Sequence, residues 1–419
     1  MADVEPLRAL RYNLDRTGGL QNVVAPPYDV IDAEQRAQLE ARSPYNVVRI
    51  DLPVGKDPYG NAARLLAAWR DEDVIVRDER PALWALEQDY TGPDGQVRRR
   101  TGFLARVRVE DYGPGRIRPH ERTHPGPKED RLKLTRATKA NLSPIFALYD
   151  DPAGTAAGVL SNATAEHPVW GGATDEDGTV NRVWRIEHPA TIKAIHDALA
   201  HAELLIADGH HRYETSRVYA EEIGGEGPHR YVLMCLVALE DPGLTVFPTH
   251  RLLKDLRSDQ HEALANAIRR DFEIKQLAST DELVPAYGQP VSLGYIDAHF
   301  RQPWMLTLKD QVIADAALSD HAEPYRQLDT AVLEALILKG ALGMTDDDID
   351  HLTGLDYARD FDHALQLVED GDRDAAFFVA ATPIEQVRAV AAAGESMPPK
   401  STYFFPKVPT GLLFNPLSQ

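Results

Sequence analysis

Cysteine is almost absent: the 419 residues contain one, Cys235. No disulfide can form within the chain, and a zinc site built on cysteines is excluded. Cys235 sits in the apolar run Val232 to Val237 and reads as a small buried hydrophobe. Long hydrophobic runs are lacking too. Stretches such as Tyr231 to Leu239 are too short to span a bilayer, which argues against a membrane-spanning helix. The opening Met1-Ala2-Asp3-Val4-Glu5 is acidic and has no signal-peptide profile, so a cytoplasmic protein is expected. Positive charge is in deficit: 45 Lys and Arg face 65 Asp and Glu, a net charge of −20. A surface of that sign repels nucleic acid, and no nucleic-acid partner is expected.

The remaining composition is that of an ordinary globular chain, 43% hydrophobic and 26% charged. A single core rarely grows to this length, so two domains are expected, residues 1–250 and 251–419. No repeat or low-complexity tract occurs. Strands and helices alternate throughout, which predicts an α/β or α+β fold. Val23 to Ile31 reads as a strand running into a rigid Pro-Pro turn, and the other expected strands include Val47 to Asp51, Leu83 to Tyr90, Arg98 to Val109, Glu203 to Ala207 and Tyr231 to Leu239. The last is apolar almost throughout and belongs in the middle of a sheet. Asp32 looks like a helix N-cap, residues 113–127 read as loop, and Glu129 to Lys139 as helix.

The charge is uneven. Between Arg98 and Lys139 there are 13 Lys and Arg against 5 acids, a local +8. Such an island suits an anionic ligand, or it is a solvated hairpin and loop face.

The densest chemistry lies at Leu204-Leu205-Ile206-Ala207-Asp208-Gly209-His210-His211-Arg212. An apolar strand ends in Asp-Gly and a helix follows at once. A helix N-terminus carries partial positive charge and suits phosphate. Gly209 permits a strained turn or close ligand approach. His210, His211 and Arg212 add donors, and Arg212 can grip two phosphate oxygens. Asp208 has the wrong sign for phosphate alone and fits a magnesium ligand or a proton acceptor. The bland alternative is a helix cap followed by surface histidines.

His120-Glu121-Arg122-Thr123-His124 spells the zinc-peptidase pattern His-Glu-x-x-His. Pro119 before it and Pro125-Gly126-Pro127 after it are incompatible with the helix that chemistry needs. Glu121 remains a candidate general base or magnesium ligand. Asp346-Asp347-Asp348-Asp350 lacks the glycine and glutamate of an EF-hand and reads as an acidic helix start. Lys128, Arg131, Arg136 and Lys139 form a phosphate clamp or a solvated basic face. Asp29, Asn141, Ser143, His250, Arg251, Lys400 and Lys407 stand in polar, proline-stiffened segments. Each could face a ligand or satisfy a loop.

Gly209-His210-His211-Arg212 resembles the Gly-X-His-Arg signature of the ParB/sulfiredoxin superfamily, which binds nucleotide phosphates at this turn. The form Asp208 to Arg212 is similar to that of its free-serine kinases. The whole chain resembles the bacterial and archaeal "domain of unknown function 1015" proteins. The matching blocks are Val24 to Ile31, Pro127 to Arg131, Arg136 to Phe146, Ala207 to Thr215, Phe247 to Arg251 and Met397 to Lys407. The resemblance implies a ParB/sulfiredoxin-like mixed-sheet core in residues 1–250, with a second α/β domain. It also implies a phosphotransferase that uses ATP, ADP or another nucleotide with Mg2+ on a small hydroxyl-bearing metabolite such as serine. Asp208, Glu121 and His211 would be catalytic. Gly209, His210, His211, Arg212, Lys128, Arg131 and Lys400 would hold the nucleotide, and Asp208 the metal. A homo-oligomer fits as well. The alternatives are a ParB-like nucleotide-binding adaptor, or a phosphatase or nuclease using the same histidines.

Overall fold

The computed structural model describes residues 2–92, 94–121 and 125–418. It divides into two compact units. One is Met1–Pro119, Thr123–Thr245 and Pro406–Gln419; the other is His120–Arg122 and Val246–Phe405. Each is a mixture of strands and helices, as the alternating sequence pattern predicts.

The first unit is built on a nine-stranded mixed sheet. In chain order its strands are β1 (Val4–Glu5), β2 (Leu83–Thr91), β3 (Val97–Arg108), β4 (Ile117–Pro119), β5 (Ile145–Tyr149), β6 (Gly171–Thr174), β7 (Val180–Ile186), β8 (Leu204–Asp208) and β9 (Tyr231–Ala238). The spatial order is β4-β8-β5-β9-β3-β2-β7-β6, with β1 on β3. β9 lies inside the sheet, parallel to β5 and antiparallel to β3, as its unbroken apolar sequence requires. One face packs Phe103, Ala105, Ile145, Ala147, Leu204, Ile206 and Leu236 against Ala156, Leu160, Ile195 and Leu199. The last four lie on two helices, Thr155–Glu166 and Pro189–Leu199. Complete burial of a side chain such as Ile206 stabilises by about 1.5–3 kcal/mol, so this core anchors the strand that ends at the candidate site.

Further helices of this unit include α1 (Ala33–Arg42), α2 (Val48–Asp51), α3 (Pro58–Asp71) and α4 (Pro125–Thr138). Asp32 caps α1 by accepting from Gln35 N at 2.8 Å. Val48–Asp51, expected to be extended, is one helical turn. The Asn46 side chain explains it by accepting the Val48 N–H at 3.0 Å, which starts the turn. Val23 to Ile31 is not a strand either. Pro26 and Pro27 have no N–H to give a ladder, so only Ala25 bridges, to Thr410, and Tyr28–Val30 is a 3-10 turn. The segment read as loop contains β4, paired with β8, and α4 begins at Pro125, where helix starts tolerate proline. Residues 122–124, most of His-Glu-x-x-His, lie outside the described residues.

The chain leaves this unit after Thr245 and returns at Pro406. The returning segment is bound by Asn415–Pro416 pairing with Ala140–Asn141. Phe414 and Leu10 also exchange backbone hydrogen bonds.

The second unit has a six-stranded sheet of β10 (His250–Leu253), β11 (Phe272–Gln276), β12 (Ser292–Asp297), β13 (Trp304–Leu308), β14 (Leu355–Ala358) and β15 (Ala375–Phe378). Its order is β11-β13-β12-β15-β10-β14, and every pairing is antiparallel. A helix at Ser258–Asp271 leads into β11, and Phe361–Glu369 packs Ala364 and Val368 into the core with Leu252, Ile296 and Phe378. Asp346–Asp350 is a short helix capped by Thr345, which accounts for its acidic start. Among the described residues no helix is long and apolar enough to cross a membrane.

Candidate functional site

β8 ends at Asp208, and the 14-residue helix α5 (His210–Ile223) starts two residues later. Two local features aim this turn. The pairing of β8 with β5 slips between Ile206 and Asp208, and such a bulge re-aims the side chain that follows. Gly209 then takes φ 94°, in the left-handed region. A Cβ there would lie 2.9–3.0 Å from the guanidinium of Arg212, so glycine is needed for both the backbone angle and the side chain above it.

Asp208 lies between two cations. Arg212 Nη2 and Lys407 Nζ each approach Asp208 Oδ2 to 3.4 Å. Arg212 also donates through Nη1 to Pro144 O, while its Nε is buried without a hydrogen bond. A third cation is close by. Arg100 on β3 is buried, stacked 4.4 Å over the Phe146 ring, and Phe146 is the register partner of Asp208. Arg100 donates to Gln88 Oε1 but, among the described residues, has no carboxylate in an ion pair, and its Nη1 is buried without a hydrogen bond there. Burial pulls its pKa down to about 10. Gln88 in turn donates to Lys407 O at 3.0 Å. Burying a cation with no opposite charge costs several kcal/mol, so two buried, unused guanidinium N–H groups near one turn mark a place suited to an anion.

Beside the turn is a polar pocket of about 30 Å³ lined by Asp51, Arg131, Asn141, Ser143, Arg212 and Ser216, among others. That volume holds a water molecule or two, so it admits the small polar end of a ligand and not a whole nucleotide. Asp51 and Arg131 form its floor. Arg131 Nη1 donates to Asp51 O at 2.8 Å and pairs with Asp51 Oδ1 at 3.2 Å. The same guanidinium pairs with Asp130 and lies 4.2 Å over the Tyr28 ring. Burial pushes the Asp51 carboxyl up, and Arg131 and then Arg212 work against that. Burial likewise pushes Tyr28 up, to about 12.

Four of the six sequence blocks therefore meet in the first unit: Tyr28, Arg131, Asn141 with Ser143, and Asp208 to Arg212. Lys407, at the end of the sixth, joins them. The fifth block and the rest of the sixth meet in the second unit, where Arg251 Nη2 donates to Pro399 O at 3.3 Å and lies 5.3 Å over Tyr357. Glu121 belongs to that unit as well. Its Oε1 accepts the Lys400 backbone N–H at 2.9 Å, and the Lys400 side chain is exposed.

Within the first unit, His210 is buried and His211 half-buried, both on the first turn of α5. Lys128 pairs with Glu214 at 3.1 Å, one turn further along. Arg136 pairs with Glu222 on the surface, and Asp29 is exposed. Asn141 serves the architecture by accepting from Leu233 N and Asn415. Of the 13 island cations, nine are tied into ion pairs with carboxylates, for example Arg99 with Asp89 and Arg108 with Glu226. The island is thus mostly a neutralised sheet and helix surface; of the described cations outside those pairs, Arg116 and Lys139 are exposed and Arg100 is buried. Sequence reasoning missed Arg100, Asp51 and Tyr28 as neighbours of the turn. Arg100 gave little local signal, since it stands in the run Arg98-Arg99-Arg100 of a strand that carries Arg106 and Arg108 as well.

The family described as "Protein of unknown function (DUF1015)" matches residues 4–331. The chain belongs to the DUF1015 family. No curated protein matches this DUF1015 chain. Solved structures show weak likeness. A free serine kinase variant in complex with ADP has a TM-score of 0.39 at 12% identity, over 72% of this chain and 87% of that one. A conserved hypothetical protein from Pyrococcus furiosus has a TM-score of 0.38 at 14% identity, over 73% and 93%. SbnI from Staphylococcus aureus, truncated at its C-terminus, has a TM-score of 0.37 at 11% identity, over 75% and 87%.

Proposed function

We propose that this chain is a nucleotide-dependent phosphotransferase acting on a small hydroxyl-bearing metabolite. One observation carries the reading. Arg212 and Lys407 converge on Asp208 at the Gly209 turn, and Arg212 Nε is buried with no hydrogen bond. Phosphoryl transfer needs chiefly positioning and charge neutralisation, and this group of residues is suited to both. The nucleotide's phosphates would lie at the start of α5, held by Gly209, His210, His211, Arg212 and Lys407. The terminal P–O bond of the nucleotide breaks, the acceptor hydroxyl oxygen bonds that phosphorus, and the shortened nucleotide leaves. The hydroxyl proton passes to Asp208 or to water.

Mg2+ fits one part of this set. Among the described residues no three His, Cys, Asp or Glu side chains gather as a metal cage. Mg2+ bound to nucleotides commonly needs only one or two carboxylates beside the phosphate oxygens, and Asp208 supplies one. The ion would neutralise phosphate charge there. The small pocket, lined by Arg212 and Asp51 among others, suits the polar head of a compact acceptor such as serine.

The test is thermal shift of the purified protein against ATP, ADP, CTP, GTP and pyrophosphate with Mg2+, beside His211→Ala. The expected result is stabilisation by at least one of them that the variant loses, followed by transfer to a hydroxylated acceptor in a screen that starts with serine. A folded wild type that none of them shifts would overturn the nucleotide reading.

A further inference from the structure

A large cavity lies in the second unit and plays no part in that reading. Its volume is about 770 Å³, within the range of sites that enclose small organic ligands. One wall is the sheet. Side chains two apart on a strand share a face, so Tyr295 and Asp297 of β12, Trp304 and Leu306 of β13 and Ile274 of β11 present one surface. The register agrees, with Tyr295 opposite Trp304 and Ile274 opposite Leu306. The other wall is the Ser258–Asp271 helix, through Leu264 and Ile268 among others. On that face Leu306 is buried and Trp304 half-buried. Phe300 and Ile274 stand at the opening, 69% and 44% exposed. Exposed large apolar side chains around a concavity mark a binding surface.

The charge at this cavity has a sign. Asp297 and Asp374 both line it. Asp297 Oδ1 accepts from the backbone N–H groups of His299 and Phe300. Asp374 Oδ2 accepts from Leu256 N. Neither carboxylate is in an ion pair with a cationic side chain among the described residues, although most acids of the first unit's sheet are. Arg269 also lines the cavity, leaving the carboxylates one charge in excess when the two histidines are neutral. Tyr295, Phe300 and Trp304 line the cavity as well, and aromatic rings attract cations.

We propose that this cavity binds a small organic cation with an apolar body, an aryl or alkyl amine or its quaternary form, independently of the nucleotide site. The apolar walls take the body. The ammonium group meets the aromatic faces and the carboxylates of Asp297 and Asp374.

Trp304 is the one tryptophan of the second unit, so the emission lost in Trp304→Phe isolates its signal. The full-length protein is titrated with 4-phenylbutylamine, and with 4-phenylbutanol and 4-phenylbutyrate as neutral and anionic probes of similar shape. Saturable change of the Trp304 signal is expected with the amine. Binding should be about tenfold weaker for the alcohol and weaker still for the carboxylate. Asp297→Asn with Asp374→Asn should erase the preference while the alcohol still binds. Trp304 emission in the double variant without probe reports whether the unit has kept its fold; if it has not, each single variant gives the same comparison. Equal response to all three probes, or none up to their solubility limits, overturns the proposal. A Trp304 signal that shifts with protein concentration alone, together with dimerisation, would assign the cavity to a second copy and also overturn it.

Discussion

Lys407 Nζ lies 3.4 Å from Asp208 Oδ2 on the side chain that Arg212 also reaches. The three charges give a net of +1 where the strand stops. Without a metal, Asp208 repels an incoming phosphate and the two cations attract it. If Mg2+ binds as proposed, the same carboxylate would become an attachment point.

That balance makes a prediction with a change of sign. Lys407→Met should weaken pyrophosphate binding about tenfold, the worth of one charge-assisted contact, with or without Mg2+. Asp208→Asn should strengthen binding in the presence of a chelator and weaken it in excess Mg2+. Calorimetric titration of the two variants under both conditions reads this. An Asp208→Asn variant that behaves alike with and without Mg2+ would remove Asp208 from the metal's surroundings.

Gly209→Ala tests the turn itself. At φ 94° an added Cβ is strained and meets Arg212 at 2.9–3.0 Å. The fold should lose about 1–3 kcal/mol, the usual cost of left-handed backbone at a side-chain-bearing residue. Nucleotide stabilisation should fall further than the Tm does, because Arg212 must move. Urea melts with and without ADP separate the two effects.

The second unit holds two buried titrating groups whose effects oppose one another. Burial pushes Asp329 up from 3.8 to about 6, so its native form binds a proton more tightly than the unfolded chain does. Its contribution is present below pH 3.8 and is lost as pH rises through about 6. Burial pulls His250 down from 6.5 to about 4, so its contribution is present above pH 6.5 and is lost as pH falls through about 4. Each shift corresponds to roughly 3 kcal/mol. Between pH 4 and 6.5 the wild type should be nearly flat in these two terms. Asp329→Asn should lose stability relative to wild type on acidification, and His250→Phe should gain it. Chemical denaturation of this unit at pH 7, 5.5 and 4.5 checks the slopes, and parallel curves for all three proteins would refute the assignment.

The sequence made some of this architecture readable and hid the rest for identifiable reasons. β8, the Gly209 turn and α5 were legible because a short apolar run, one glycine and a polar helix start are all local signals. β9 was legible because its neighbours require it to be apolar on both faces. Val48–Asp51 was misread, since Val-Arg-Ile has strand propensity and the deciding hydrogen bond comes from Asn46. The companions of Asp208 were harder. Arg100 is brought near by the register of β3 against β9 and of β9 against β5, and Lys407 by a segment that returns from the far end of the chain. Neither placement is encoded within a few residues of the turn. The positive island was visible, but its ion pairs depend on which acids the sheet sets opposite it.

The return of the chain at Pro406 has a further consequence for biosynthesis. Translation delivers Asp208 and Arg212 early, then the whole of Val246–Phe405, and only then Lys407 and the strand at Asn415–Pro416. A nascent chain stopped at Phe405 would have the turn and both guanidinium groups but lack the ammonium that offsets Asp208. The net positive charge at the turn therefore matures last, after every residue of the second unit has been made.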